Sequence, residues 1–163
     1  MDYKKHNARL LGASFVYAVV VWILFVMLAV ILLGDIMFTR RGIVYMVNSF
    51  AFTFNALTLA LVISTLITNK EAVNGIVNVI ALGSAFLCGA FVPSEWLPDT
   101  VLKIAHILPA YWYINSNDRL KTIEVINTGS LKPIFINIAV LCGFSIVFII
   151  LNNIISKKKQ KIG

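Results

Sequence analysis

Four stretches of this chain contain no Asp, Glu, Lys or Arg: Leu10 to Gly34, Gly42 to Asn69, Ala72 to Ser94 and Pro133 to Ser156, of 25, 28, 23 and 24 residues. A helix needs roughly 20 apolar residues to cross about 30 Å of hydrocarbon, and inside lipid each backbone polar group must find its partner within the segment. The pattern predicts an all-α, polytopic membrane domain of four helices, at about 10–34, 43–68, 72–93 and 133–156. A composition of 60% hydrophobic and 13% charged residues lies outside the range of a soluble domain and agrees with that reading. Lys4, Lys5 and Arg9 precede the first stretch as they would in a signal peptide, but its apolar core is longer than the roughly 7 to 15 residues of such a peptide, so a retained helix is expected.

With four crossings both termini share one side. That side carries Lys4, Lys5, Arg9, Lys70, Lys157, Lys158, Lys159 and Lys161 against Asp2 and Glu71, whereas the other has six basic residues against five acidic ones. The bias predicts cytoplasmic termini in the cell membrane, with the bases touching anionic headgroups. Nucleic acid is a poor partner, since every base sits at a membrane boundary. Cys88 and Cys142 lie in apolar stretches and read as small packed thiols rather than a redox pair.

Polar residues within the spans fall in rows. Asn48, Asn55, Thr58 and Thr65 share one face of the second helix; Asn74, Asn78, Ala81, Ala85 and Gly89 form a row of amide and small side chains on the third. The two rows are candidates either to pack on each other or to line a route through the membrane. Asn69, Lys70 and Glu71 make a tight turn between these helices, and Lys70 and Glu71, with Lys4, Lys5 and Arg9, are candidates for cytoplasmic coupling to a partner, although Glu71 reads first as a local ion pair with Lys70 or a solvated turn residue.

The connection between the third and fourth helices is the long one. Gly89 and Pro93 weaken the third helix near its end. After Pro98, Val101, Leu102, Ala105 and Leu108 share a face that Asp99, Lys103 and His106 largely avoid, which suits a short interfacial helix ended by Pro109. Trp96, Tyr111, Trp112 and Tyr113 are amphipathic aromatics of the kind that favour headgroup depth, and His106 reads as a polar-face residue. The segment 94–113 is therefore expected to be re-entrant or interfacial.

The order Gly89, Phe91, Pro93, then Leu97 and Pro98, then Leu102, Ile104 and Ala105, then Pro109 and Tyr111 resembles the C-terminal region of type-two ATP-binding cassette exporter permeases, over roughly Asn7 to Lys161. The resemblance implies a pair of re-entrant or interfacial helices before the last membrane helix, a gate role for Gly89, Phe91, Pro93, Trp96, Leu97, Pro98, Pro109 and Tyr111, and a partner ATPase. Members usually have six membrane helices, so these four correspond to the last four, and Asp2 to Arg9 to a remnant of the coupling segment before the third; a second permease subunit or an N-terminal half is then also implied. The chain itself has no GxxxxGK[ST] loop, no GxSxG elbow and no His and Glu at metal spacing, so no catalytic, metal or cofactor site is expected. Two other readings stay open: a small non-transporting membrane protein acting through helix contacts, as an assembly or immunity-type factor, and a truncated permease remnant.

Overall fold

The computed structural model describes residues 3–162, with side chains at 9 and 11–159. The described residues form six α-helices and no strand: α1 (Tyr3–Leu33), α2 (Arg40–Leu66), α3 (Lys70–Leu87), α4 (Asp99–Ala105), α5 (Pro109–Thr122) and α6 (Thr128–Ile162). Among the described residues three segments are long and apolar enough to cross a membrane: Leu11–Phe38, Arg40–Leu66 and Thr128–Lys159. The third helix, expected as the third of four crossings, differs. It has 18 residues, begins with Lys70 and Glu71, carries Asn74 and Asn78, and closes at Leu87 instead of continuing to 93.

Local chemistry sets these ends. Gly34, at φ 56°, ends α1, and a 3-10 turn over Gly34–Phe38 leads to Thr39. Thr39 caps α2 by accepting from the Gly42 amide at 3.2 Å. Gly42 lies so close to this turn that a Cβ there would stand 2.2 Å from the Met37 carbonyl oxygen. Gly42→Ala should therefore lower stability by at least about 2 kcal/mol, whereas Gly143→Ala in α6, with nothing within 4 Å of its Cβ position, should be neutral; thermal unfolding in detergent compares the two.

Asn69 caps α3 by accepting from the Glu71 and Ala72 amides at 2.8 and 3.3 Å, which makes the tight turn after α2. At its other end α3 stops at Gly89, whose φ of 96° excludes ordinary side chains, and the Ala90 and Phe91 amides fold back onto the Ala85 carbonyl. The helix thus ends before Pro93 is reached. Pro93 and Pro98 serve instead as the residues preceding a 3-10 turn (Ser94–Trp96) and α4. Pro109 follows the end of α4 and is also the first residue of α5, where its missing N–H costs nothing. α6 starts five residues ahead of the expected 133, because Asn127 and Ser130 form a reciprocal cap, Ser130 amide to Asn127 Oδ1 at 2.8 Å and Asn127 amide to Ser130 Oγ at 3.0 Å.

The long helices pack around α2. Along α2 and α6 the partners rise together: Val44 clusters with Ile134, Asn55 reaches Leu141 and Ser145, Thr65 reaches Asn152, and Leu66 meets Lys159. The two helices are parallel. Along α5 the order reverses, Arg41 meeting Ile123, Tyr45 meeting Asn117, and Asn48 and Phe52 meeting Tyr113, so α5 runs antiparallel to α2. α1 leans on one side of α2, through Trp22 and Ser49 and through the Phe15–Phe54 ring pair.

Candidate functional site

The polar row on α2 is where these helices meet. Asn48, Asn55 and Thr58 are almost wholly buried, and Thr65 is half-buried. Asn48 Nδ2 donates to the Tyr113 carbonyl at 3.0 Å and to Asn117 Oδ1 at 2.9 Å; Asn55 Nδ2 donates to the Leu141 carbonyl and to Ser145 Oγ, both at 3.2 Å; Thr65 Oγ1 lies 2.6 Å from Asn152 Oδ1. Thr58 turns its hydroxyl to the Asn55 carbonyl of its own helix at 2.8 Å. In lipid, such interhelical bonds contribute about 0.6 to 2 kcal/mol each. The row packs on α5 and α6, not on α3: the expected pairing of the second and third helices through their polar rows is replaced by these contacts.

The family resemblance implied a pair of helices in this connection, but the residues of 109–122 did not themselves mark α5. Its surface is too polar for a span, yet Ala110, Ser116 and Leu120 are buried, and Asn115, Asn117 and Tyr113 turn toward the long helices. Asn115 Oδ1 accepts from Asn137 Nδ2 of α6 at 3.0 Å and from Arg119 Nε at 2.9 Å, while Leu120 joins Val44 and Ile134 in an apolar cluster. The signal lay in the proline at N1 and in Arg119 and Lys121 in the last turn, both favourable helix-end choices. Lys121 Nζ donates to Asp118 at 2.9 Å, and this bond raises the lysine pKa above its ordinary value.

α2 serves as a ruler of depth. Phe52 stacks on Tyr113 with ring centroids 4.5 Å apart and planes 9° apart. It lies twelve residues from Arg40, about 18 Å at 1.5 Å per residue, close to the middle of a 27-residue helix. Cys88, Ala105 and Ala110 pack together there, with Phe52, Leu108 and Tyr111 around them. The end of α3, the end of α4 and the start of α5 therefore converge halfway along α2. From that point α5 returns to the level of Arg41, whose guanidinium donates to the Ile123 carbonyl.

Other candidate residues sit around this convergence. Gly89 turns the chain out of α3; Phe91 is exposed and touches Phe86, with centroids 5.0 Å apart; Trp96 is exposed, Leu97 half-buried, and Pro98 exposed ahead of α4. Pro109 opens α5, and Tyr111 lies against His106 with centroids 4.0 Å apart. His106 is exposed on the short link between α4 and α5; its Nδ1 lies 2.5 Å from the Leu102 carbonyl, and Trp112 Nε1 donates to the His106 carbonyl at 3.0 Å. Asn74 and Asn78 on α3 are exposed, and no residue of α3 is buried. Lys70, Glu71 and Arg9 are exposed, Lys70 beginning α3 just beyond the end of α2, where Lys159 Nζ donates to the Leu66 carbonyl at 3.3 Å. The side chains of Lys4 and Lys5 lie outside the described residues.

Over its full length the chain is 26% identical to a Bacillus subtilis (strain 168) protein described by name only as a transport permease, YvfS; the match covers 99% of this chain and 62% of that relative. The chain thus spans less than two thirds of the relative's length. No solved structure matches it. The family model described as ABC-2 family transporter protein matches residues 5–153, and the chain belongs to that family.

Proposed function

We propose that this chain is the membrane-spanning part of an ATP-driven exporter, with ATP hydrolysed by a separate ATPase subunit and not by this chain. The observation that carries the reading is the convergence of α3, α4 and α5 at the middle of α2. α3 rises from the Lys70 end to that level, and α5 continues from it to the level of Arg41 in the same direction. Together they would make a fourth, broken crossing, with α4 as the inward limb of a re-entrant hairpin. At that depth Cys88, Ala105 and Ala110 are buried, while the exposed links at Ala90 and at His106–Ile107 would need cover from a second permease copy or an N-terminal half.

A broken crossing suits movement. Two helix ends meeting on a small-residue contact can shift against each other without unfolding either helix, and a rigid-body shift of this kind would open a route along the hairpin. Since the α2 row is occupied in packing, the open face of α3, with Asn74 and Asn78, becomes the candidate lining. Amphipathic cargo fits a face on which the amides of Asn74 and Asn78 are followed by the exposed Leu82. The lysine-bearing ends of α3 and α6 would face the cytoplasm and the ATPase, and a second permease copy or an N-terminal half would complete the route.

Co-expression with a candidate ABC ATPase subunit tests this reading. The two should co-purify, and the chain should raise ATP hydrolysis in nanodiscs. A stable chain that recruits no ATPase overturns it. In an active pair, Asn78→Leu should lower cargo-stimulated hydrolysis about fivefold with assembly intact, consistent with the loss of one or two polar contacts.

A further inference from the structure

A cavity of about 510 Å³ lies between α1 and α2 and touches the hairpin only through Tyr113 of α5. Its walls are Phe25, Ala29 and Leu33 of α1 and Met46, Ser49 and Phe52 of α2, with Tyr113 at its floor. Below, the helices are pinned by Trp22 Nε1 donating to Ser49 Oγ at 3.0 Å and by the Trp22–Phe50 ring contact at 5.1 Å. Above, the 3-10 turn with its buried Met37 joins them. A helix about 10 Å across could not enter without parting these contacts; an acyl chain is far thinner.

The polar atoms of the lining are already committed. Ser49 donates to the Met46 carbonyl and Thr53 to the Ser49 carbonyl, both at 2.9 Å, and Tyr45 donates to the Asn117 carbonyl at 3.2 Å. An occupant therefore meets an apolar surface that asks for no hydrogen bonds. Tyr45 to Thr53 lies five to thirteen residues from Arg40, about 8 to 20 Å deep, which is the depth of acyl chains in one leaflet. One turn above Tyr45 stands Arg41, half-buried, with the Ile123 carbonyl on one of its nitrogens. A guanidinium has five N–H donors, so several remain for an anion at the rim.

We propose that this cleft holds one acyl chain of a phospholipid from the leaflet on the Arg41 side, with its phosphate at the Arg41 guanidinium. The proposal rests on the chain lying in a membrane and not on ATP-driven export. The test reconstitutes the full chain in nanodiscs of phosphatidylcholine and phosphatidylglycerol, transfers it to detergent and counts retained lipid by native mass spectrometry. One phosphatidylglycerol should stay on each chain. Ala29→Phe, which fills the cleft, should cut retention about tenfold; Ala60→Phe, at an exposed position of α2 outside the cleft, should not; and Arg41→Gln should cut the preference for phosphatidylglycerol over phosphatidylcholine about fivefold. Retention by Ala29→Phe equal to wild type, or equal loss in both alanine variants with helicity kept, overturns the proposal. Should Ala29→Phe not fold, a Trp96→Phe, Trp112→Phe chain retaining Trp22 decides: quenching by tail-brominated phosphatidylglycerol that saturates at low mole fraction supports a site, and quenching that only tracks bulk bromolipid overturns it.

Discussion

Replacing Asn48 with leucine is expected to free α5 from the middle of α2. The leucine matches the amide in number and branching of heavy atoms but has bulkier methyl groups, so the change removes the hydrogen-bonding chemistry and adds some volume. It deletes the donors to the Tyr113 carbonyl and Asn117 Oδ1, and it leaves the Asn117 oxygen without that partner inside a packed interface. The expected cost is about 2 kcal/mol, or roughly thirtyfold faster amide exchange across 109–122, with exchange in α1 unchanged. Thr58→Val provides the contrast. Thr58 is just as buried, yet its hydroxyl bonds only to its own helix, so exchange in α5 should stay within about twofold of wild type. Equal effects from the two variants would remove the α2 row as the fastener of the hairpin. In an active complex with an ATPase, Asn48→Leu should also abolish coupled transport.

Gly89 is expected to matter more than the prolines that follow it. At φ 96° a β-branched residue is strained by about 1 to 3 kcal/mol, so Gly89→Val should drive the chain out of this turn and displace the convergence at Cys88. A spin label at position 107, beside the tip, should then report a different membrane depth. Pro93→Ala with Pro98→Ala removes neither the positive φ nor the return of the Ala90 and Phe91 amides to Ala85, so the label should keep its depth and α3 its end at Leu87. A double proline variant with a longer α3 would refute this assignment. Export by Gly89→Val should fall at least tenfold if the hairpin forms the gate.

What could be read from the sequence, and what could not, divides along a physical line. Long charge-free stretches announce spanning helices because lipid imposes one requirement on every residue, and α1, α2 and α6 were legible for that reason. The short turn at Asn69 and the buried side of α4 followed from local rules of capping and periodicity, Ala105 being buried and Lys103 exposed as the pattern required. α5 obeys no such rule. Its environment is neither lipid nor water but the amide groups of α2 and α6, so its Asn and Ser residues read as loop until their partners are known. Tyr45, Asn115, Asn117 and Ser145 escaped notice for the same reason. The row on α2 was visible as polar, but whether it faced a route or another helix depended on α5. The end of α3 was misplaced because a proline is the more conspicuous helix breaker, whereas a glycine four residues earlier had already turned the chain.

The parallel course of α2 and α6 has an electrostatic consequence. Each helix carries about half a positive charge at its start and half a negative charge at its end, and side by side in the same direction the two dipoles repel. Lys157, Lys158 and Lys159 sit at the negative ends, with the Lys159 ammonium on the last turn of α2 itself. These lysines thus offset a repulsion internal to the bundle, so positive charge near the end of α6 helps to keep two aligned helices together.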